Sequence, residues 1–191
     1  MTWGGGASEG SGDDQMIVAQ IVSGQKELFR LLVNRHEQAV YGMGLSFFRN
    51  PEDAADFTQD VFLKVFRNLS RFEGRSRFST WLYKIAYNTA VNNVTRKREY
   101  HSLAEDEPVC GGDTPERDML RSAAREAVLE AVTDLPDRYR ICVDLFFFYD
   151  RSYQEIEAIT GYPVNTIKSH VFRAKKLLRE KLAGFAEGGF E

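Results

Sequence analysis

The sequence predicts an all-α protein made of two small helical domains joined by a flexible acidic linker. Hydrophobic residues recur at three- and four-residue steps along most of the chain, which is the period of an amphipathic helix. No segment alternates like a β-strand, and an aperiodic stretch rich in acids, Gly and Pro separates two helical runs at 100–113. The 191 residues suffice for two small domains, and a hydrophobic content of 43% is that of a globular protein.

The first half of the chain predicts a glycine-rich flexible tail over 1–14 and a four-helix domain over 15–98. The clearest helix start is at Pro51, because Asn50 can cap the helix and proline is favoured at the first helical position. The domain's expected helices are a short one from Asp13, then Lys26–Arg49, Pro51–Asn68 and about Ser76–Arg98.

The second half predicts a linker over 99–114, a second helical domain over 115–184 and a short tail over 185–191. The expected helices are Thr114–Thr133, Asp137–Tyr149 and a helix pair within Ser152–Leu182.

This last stretch has the pattern of a helix-turn-helix. Ser152 followed by Glu155 is a capping box, and Gly161 with Pro163 can end one helix and open the next. Its second helix has a hydrophobic face and a polar, basic face, which predicts a reader of duplex DNA; a solvated surface hairpin is the alternative. The hydrophobic face contains Val164, Ile167, Val171, Ala174 and Leu178, and the outward face contains Asn165, Thr166, Lys168, Ser169, Phe172, Arg173 and Lys176.

Basic and aromatic residues interleave in the segment that ends at Asn88. Cations that follow a phosphate backbone and rings that accept unstacked bases are the ingredients of single-strand binding. Phe78 is expected to be a core residue, whereas Phe72, in a loop near Gly74, is equally compatible with packing and with binding a base. The cations are Arg71, Arg75, Arg77 and Lys84, and the aromatics are Phe72, Phe78, Trp81, Tyr83 and Tyr87.

Acidic residues recur three or four positions apart on the helix predicted at Pro51–Asn68. An acidic stripe with an exposed aromatic residue beside it would suit a basic protein partner, and a merely solvated face is the alternative. The residues concerned are Asp53, Asp56, Gln59, Asp60 and Phe62.

The sequence favours a binding protein over an enzyme. No Gly-rich loop follows a strand, no nucleophile has a base at a familiar spacing, and the three His and two Cys are scattered. No cofactor or metal is therefore expected. A net charge of −3 does not indicate nucleic-acid binding, but the basic residues cluster locally. With no hydrophobic run of membrane-spanning length and no signal peptide at the start, a cytoplasmic protein without membrane insertion is expected.

Three stretches, in this order and spacing, resemble the sigma-70 family, specifically its extracytoplasmic-function (ECF) sigma factors. The similarity covers nearly everything from Ile17 to Leu182 and is weakest in the linker. The short connection, without a large intervening domain, corresponds to the two-domain ECF architecture. The stretches are NPEDAADFTQDVFLKVFRNLSRFEGRSRFSTWLYKIAYNTA, LPDRYR and SYQEIEAITGYPVNTIKSHVFRAKKLLREKL.

The resemblance implies a factor that binds core RNA polymerase, recognises the −35 and −10 promoter elements and promotes strand opening. Residues 15–98 are similar to region 2, which docks on the β′ coiled coil of polymerase and captures a base flipped out of the melted −10 element. Residues 115–184 are similar to region 4, whose second helix reads the −35 element in the duplex.

The partners implied are core polymerase with its β′ and β subunits, duplex and melted promoter DNA, and an anti-sigma factor. The positions that match the family are Asp53, Asp56, Gln59, Asp60 and Phe62 for docking, Phe72, Arg75, Lys84 and Asn88 for the −10 element, and the seven outward residues of the second helix for the −35 element.

The sequence departs from the family pattern at three places. Asn165 stands where Gly is frequent and His170 where Arg or Lys is common, so the −35 sequence preference stays open. Phe146–Phe148 replaces residues that are often charged, and we expect it to thicken the core, with a surface for a regulator as the alternative.

The alternative function is a helix-turn-helix regulator that acts without being a polymerase subunit. Such a protein would bind duplex DNA as a dimer and would not need the aromatic and basic segment that ends at Asn88. A helical protein-interaction adaptor is a third possibility.

Overall fold

The computed structural model describes residues 10–101 and 127–187, and all regular structure in these ranges is helical. The α-helices are α1 (Gly10–Val22), α2 (Phe29–Phe48), α3 (Pro51–Asn68), α4 (Phe78–His101), α5 (127–133), α6 (Asp137–Val143), α7 (Tyr153–Thr160) and α8 (Val164–Glu187). The chain divides into two compact units, the first built from α1–α4 and the second holding most of α5–α8. The all-α prediction is confirmed. The predicted linker lies outside the described residues from position 102 onward. None of the helices described is both long and apolar enough to cross a membrane.

The core of the first unit lies between α2, α3 and α4. α2 and α3 approach closely at Gly44, where a Cβ atom would lie only 2.8 Å from Cδ1 of Phe57. Glycine at this position therefore lets the two helices pack at short range. The buried side chains of α3 and of the residue after it that share one stripe are Ala54, Phe57, Val61, Val65 and Leu69.

α3 begins where the sequence predicts. The side-chain oxygen of Asn50 accepts hydrogen bonds from the backbone N–H groups of Glu52 (2.8 Å) and Asp53 (3.2 Å). Pro51 occupies the first helical position, where its missing N–H has no cost. The Asn50 cap and Pro51 together therefore fix the residue at which α3 begins.

Three helices extend beyond their predicted boundaries. α1 begins at Gly10, so the last five residues of the predicted tail are helical. α4 continues to His101 instead of ending near Arg98, and α8 continues to Glu187, into the predicted C-terminal tail.

The early start of α1 places a buried acid, Asp14, against α2. Asp14 is 4% exposed. One carboxylate oxygen accepts a hydrogen bond from Arg35 Nη1 at 2.8 Å and the other lies 2.8 Å from His36 Nε2. Burial raises the pKa of Asp14, but the hydrogen bonds with His36 and Arg35 outweigh burial and hold this pKa below its ordinary value. The carboxylate thus connects α1 to α2.

Asp14→Asn is expected to lower the free energy of unfolding by about 1–2 kcal/mol at neutral pH, because it removes charge-assisted hydrogen bonds. The hydrogen bond from Arg35 contributes only a small part of this free energy, because the Arg35 side chain is 40% exposed and solvent screens its charge. Since the folded-state pKa is depressed, the stabilisation is present above the ordinary value of 3.8 and is lost as the pH falls through the lower folded-state value. Thermal melts at neutral pH and in steps down to about pH 3 measure the difference.

Asp13→Asn is the matched control. Asp13 is 58% exposed and lies 3.8 Å from the same Arg35, so its replacement should leave the melt nearly unchanged. Equal melting of the Asp14 variant and the wild type at neutral pH would contradict the assignment.

The second unit is built around the packing of α6 on α8. Arg140, which is 4% exposed, donates hydrogen bonds to the carbonyl of Thr133 (2.9 Å) and to Oδ1 of Asp137 (2.8 Å). These bonds join the end of α5 to the start of α6. The buried cluster between α6 and α8 contains Leu135, Tyr139, Val143 and Ala174, with Leu177 and Leu178 packed against it.

The prediction that Phe146–Phe148 thickens the core is wrong. Residues Asp144–Phe148 form a π-helical turn, whose extra residue shifts the positions after it away from an α-helical stripe. Phe147 is 51% exposed and Phe148 is 50% exposed. Phe146 is partly covered, because its ring stacks on that of Tyr153 with the centres 4.9 Å apart.

Candidate nucleic-acid interface

The helix-turn-helix is formed by α7 and α8 as predicted. The N–H of Ser152 donates to the carboxylate of Glu155 (3.0 Å), and the N–H of Glu155 donates to the hydroxyl of Ser152 (3.2 Å), which is a complete capping box. Gly161 has a φ of +77°, the left-handed conformation that ends α7. The N–H of Val164 then donates to Oε1 of Glu157 (3.2 Å), so α7 also caps the start of α8.

α8 has one buried and one exposed face. Ile167, Val171 and Ala174 are buried, whereas Phe172 is 71% exposed on the opposite side. A large aromatic ring with this exposure on a charged surface is available for contact with a ligand. Of the seven residues predicted for the outward face, Thr166 is half-buried and the others are exposed: Asn165, Lys168, Ser169, Phe172, Arg173 and Lys176.

The polar groups of this face are only weakly engaged by the protein. The hydroxyl of Ser169 donates to the carbonyl of Asn165 at 2.9 Å, which leaves its oxygen able to accept another hydrogen bond. Lys176 Nζ lies 3.9 Å from Glu180, and both side chains are more than half exposed, so this ion pair is weak. Arg173 Nη1 donates a long hydrogen bond, 3.5 Å, to the hydroxyl of Tyr139. DNA could replace each of these contacts at little cost.

His170 is turned away from the outward face. Its half-buried ring lies 5.2 Å from the ring of Tyr139 and 5.4 Å from that of Tyr162, and Nδ1 is 3.7 Å from Cys142 Sγ. Burial lowers the pKa of His170, and nearby arginine charges lower it further. Burial raises the pKa of the Cys142 thiol to about 12. Both groups are therefore neutral at neutral pH, and His170 does not supply the cation that Arg or Lys would.

Phe72 lies in the loop between α3 and α4, at the edge of an aromatic cluster. Its half-buried ring is 5.8 Å from Phe78 and 5.4 Å from Trp81, measured between ring centres. Phe78 is 0% exposed, which confirms that it is a core residue. Gly74, two residues after Phe72, has a φ of +70° and turns the loop there. The cluster holds the Phe72 ring from one side and leaves part of it accessible.

Lys84 and Asn88 lie one turn apart on the exposed face of α4. Exposure of Lys84 and Asn88 follows from the burial of Leu82 and Ala86 on the other face of the helix. Arg75 is in the loop, where its side chain is 86% exposed and its Nε lies 2.6 Å from the carboxylate of Glu73. All three predicted polar residues are therefore accessible.

The outward face of α3 differs in one respect from the prediction. Asp56 and Gln59 are exposed and Asp53 is half-buried. Asp60 forms a 2.7 Å ion pair with Lys64. The prediction of an exposed aromatic residue at Phe62 is wrong: this side chain is 7% exposed and packs edge-to-face on Phe29 of α2, with the centres 6.3 Å apart.

Two other hydrophobic residues are exposed on this helix. Leu63 is 55% exposed and Phe66 is 41% exposed. At about 100° per residue, Leu63 lies between Asp56 and Gln59 on the outward face. This spacing was visible in the sequence and could have identified Leu63, whereas the identity of the buried aromatic residue depended on α2.

No three His, Cys, Asp or Glu side chains of the described residues come together as a metal site.

Two family models match the chain, one in each half. Residues 32–100 match sigma-70 region 2, and residues 125–178 match sigma-70 region 4. The RNA polymerase sigma-H factor of Pseudomonas aeruginosa is 34% identical over 180 residues, covering 88% of this chain and 93% of that protein. The ECF RNA polymerase sigma-E factor of Haemophilus influenzae is 34% identical with 88% and 95% covered, and that of Escherichia coli K12 is 32% identical with 88% and 94% covered.

The fold is also similar to solved structures. One is CnrH in complex with the cytosolic domain of CnrY, with a TM-score of 0.65, 24% identity and coverage of 90% of this chain and 97% of that chain. Another is the sigma factor RpoE in complex with the anti-sigma factor NepR from Bartonella quintana, with a TM-score of 0.66, 24% identity and coverage of 81% and 96%. These two similarities concern the fold.

A chain in which regions 2 and 4 follow one another is a transcription initiation factor of the sigma class. This chain belongs to the sigma-70 family, within its ECF group of RNA polymerase sigma factors.

Proposed function

We propose that the chain holds a promoter at two points while bound to core RNA polymerase. Residues 115–184 read the −35 element as duplex, and residues 15–98 dock on polymerase and hold the melted −10 element. The outward face of α8 carries the proposal, because six of its seven predicted DNA-reading residues are exposed and the seventh is half-buried.

On the −35 element, α8 lies in the major groove. Arg173 and Lys176 can donate to the O6 and N7 acceptors of guanine or to phosphates, and Ser169 can bond to either type of group. Phe172 offers a hydrophobic surface of the kind that contacts a thymine methyl group. Asn165, Thr166 and Lys168 belong to the N-terminal half of the helix, where base edges and the adjacent phosphates are in reach.

On the −10 element, Phe72 stacks against a base that has left the duplex. Phe78 and Trp81 pack against one side of the Phe72 ring and hold its orientation. The accessible part of the ring can therefore stack on a base without first losing conformational freedom. Lys84 and Arg75 follow the phosphates, and Asn88 can hydrogen-bond to a base edge. Capture of one flipped base offsets part of the cost of unstacking and favours strand opening.

Docking on the β′ coiled coil of core polymerase uses the outward face of α3. Asp53, Asp56, Gln59 and Asp60 supply its polar part, and Leu63 and Phe66 replace Phe62 as the hydrophobic contact. A hydrophobic centre with a charged rim is the usual anatomy of an interface.

Asp60→Ala is expected to weaken binding of core polymerase roughly two- to fivefold, since rim charges act mainly on the association rate. The exposed pair with Lys64 stabilises the fold by only about 0.3–0.5 kcal/mol, so the melt should change little. Titration of labelled protein with core polymerase gives the affinity, and circular dichroism gives the melt. Asp134→Ala, which removes a similarly exposed acid bonded to Lys181, is the matched control. A large loss of stability with unchanged polymerase binding would make Asp60 a structural residue.

The family relationship also implies how the protein is controlled. RpoE of Bartonella quintana, which shares the fold, was solved bound to an anti-sigma factor. We infer that a protein of this kind also restrains this chain, by covering the surfaces it needs for polymerase. The chain then acts in the cytoplasm, with the β and β′ subunits and promoter DNA as its other partners, and performs no catalysis and uses no cofactor of its own.

Run-off transcription with sigma-free core polymerase tests the proposal. Addition of the chain should produce transcripts of defined length from a subset of genomic templates, and each active template should lose activity when its −35 or −10 segment is scrambled. Duplex binding without polymerase and without transcripts would favour a helix-turn-helix regulator instead. The match of residues 32–100 to region 2 disfavours that alternative, because a duplex reader has no need of it.

A further inference from the structure

We propose that Tyr139, in the first turn of α6, is a positioning residue that sets the orientation of Arg173 for reading the −35 element. The inference rests on the proposed role of Arg173 in DNA binding. Tyr139 belongs to a different helix from the proposed DNA-reading face and is only 7% exposed. Its proposed role therefore does not depend on contact between Tyr139 and DNA.

The ring of Tyr139 is fixed by its surroundings. It belongs to the buried cluster with Leu135, Val143 and Ala174. Ala174 follows Arg173 in sequence, so the Tyr139 ring packs close to the backbone from which the Arg173 side chain starts. A tyrosine side chain has two rotatable bonds before its ring, and burial of the ring therefore fixes the position of the hydroxyl.

The hydroxyl of Tyr139 gives Arg173 a preferred direction. It accepts a hydrogen bond from Arg173 Nη1 at 3.5 Å. An arginine side chain at an exposed position otherwise samples many rotamers, and ordering it on binding costs affinity. Because the bond is long, it favours one direction and still yields to a guanine or phosphate acceptor at shorter range.

The groups around Tyr139 are consistent with this role. The hydrogen bond from Arg173 lowers the pKa of the Tyr139 phenol, and the charge of nearby Arg138 lowers it further. The guanidinium carbon of Arg138 lies 5.0 Å from the centre of the Tyr139 ring, and the His170 ring lies 5.2 Å from it. Since the pKa of His170 is lowered as well, a neutral imidazole lies beside Arg173 and does not repel it at neutral pH.

The test is a double-mutant cycle with the holoenzyme. Tyr139→Phe, Arg173→Ala and the double variant are assembled with core polymerase and compared in promoter affinity, on the strongest promoter recovered from a genomic run-off panel and on single-base variants of its −35 element. Tyr139→Phe keeps the ring and removes the hydroxyl. It should weaken promoter binding roughly two- to tenfold, relax the preference at the base pair read by Arg173, and have no effect in the Arg173→Ala background.

Tyr153→Phe is the matched control. It removes the hydroxyl of a second tyrosine of the same unit, which is half-buried and whose ring stacks on Phe146, and should leave the −35 preference unchanged. An equal loss of affinity from Tyr139→Phe in both Arg173 backgrounds would show that the tyrosine acts through the fold, and would overturn the inference. Loss of affinity in Arg173→Ala but not in Tyr139→Phe would also overturn it while leaving the proposed function intact. If Arg173→Ala itself has no effect, the role of Arg173 and the inference both fail.

Discussion

Replacement of Phe78 with alanine is expected to lower the free energy of unfolding of the first unit by about 3–5 kcal/mol, because it opens a cavity in a core that cannot fully collapse. Phe78 is 0% exposed, and its ring lies 5.5–6.0 Å from those of His36, Phe72 and Trp81. A total stability of about 5–15 kcal/mol is ordinary for a domain, so the variant should be largely or partly unfolded at growth temperature. Urea titration followed by circular dichroism measures the loss.

The same substitution should also affect the −10 interaction. Phe72 loses one of the rings that support it from behind, so binding of single-stranded −10 DNA by the holoenzyme should weaken further than the folded fraction explains. Phe78→Leu separates the two effects, since it keeps most of the volume and should cost about 1–1.5 kcal/mol. Phe66→Ala is the comparison for stability: this side chain is 41% exposed and its ring packs edge-to-face on Phe29 with the centres 5.0 Å apart, so its removal should cost only about 1–2 kcal/mol. Similar losses for the Phe66 and Phe78 variants would contradict the assignment of Phe78 to the core.

Features fixed by neighbouring residues were predictable from the sequence. The start of α3 at Pro51 follows from the cap at Asn50, and the break before α8 follows from Gly161 and its capping partners. The buried stripe of α8 follows from its period. At the two helix starts the stabilising contacts span only two to seven residues in sequence, and the side chains concerned have strong positional preferences.

Features that depend on a second element were not predictable in the same way. Phe62 lies at the border of the buried stripe of α3, and its burial depends on Phe29 of α2. The exposure of Phe147 and Phe148 depends on a π-helical turn, which a period of 3.6 residues does not represent. The burial of Asp14 needed the partners Arg35 and His36, more than twenty residues away.

The candidate site follows the same division. The exposed residues of α8 could be predicted because a helix that buries one hydrophobic face exposes the opposite face to solvent. The hydrogen bond from Arg173 to Tyr139 could not be predicted in this way, because it joins α8 to α6 and its two residues lie 34 positions apart in sequence. Sequence reasoning therefore identified which side chains of α8 are exposed, and the packing of α6 on α8 was needed to see how one of them is oriented.

Arg173→Ala is expected to weaken promoter binding by about 1–3 kcal/mol, the usual contribution of a side chain that bonds bidentately to a guanine. The guanidinium is exposed on the outward face and its long bond to Tyr139 is readily exchanged for DNA, so little stability should be lost. Holoenzyme affinity for the wild-type promoter and for each single-base variant of the −35 element gives both the loss and its dependence on sequence. The matched control is Arg179→Ala, an exposed arginine of the same helix outside the seven predicted residues.

The salt dependence decides which group of the DNA Arg173 contacts. A base contact predicts that the variant loses its preference at one −35 position and binds the remaining sequences with a nearly unchanged salt slope. A phosphate contact predicts a uniform loss over all sequences and a slope of log K against log salt reduced by about one. Equal losses in Arg173→Ala and Arg179→Ala would assign the effect to overall charge, and α8 would then contribute affinity without reading the −35 sequence through this residue.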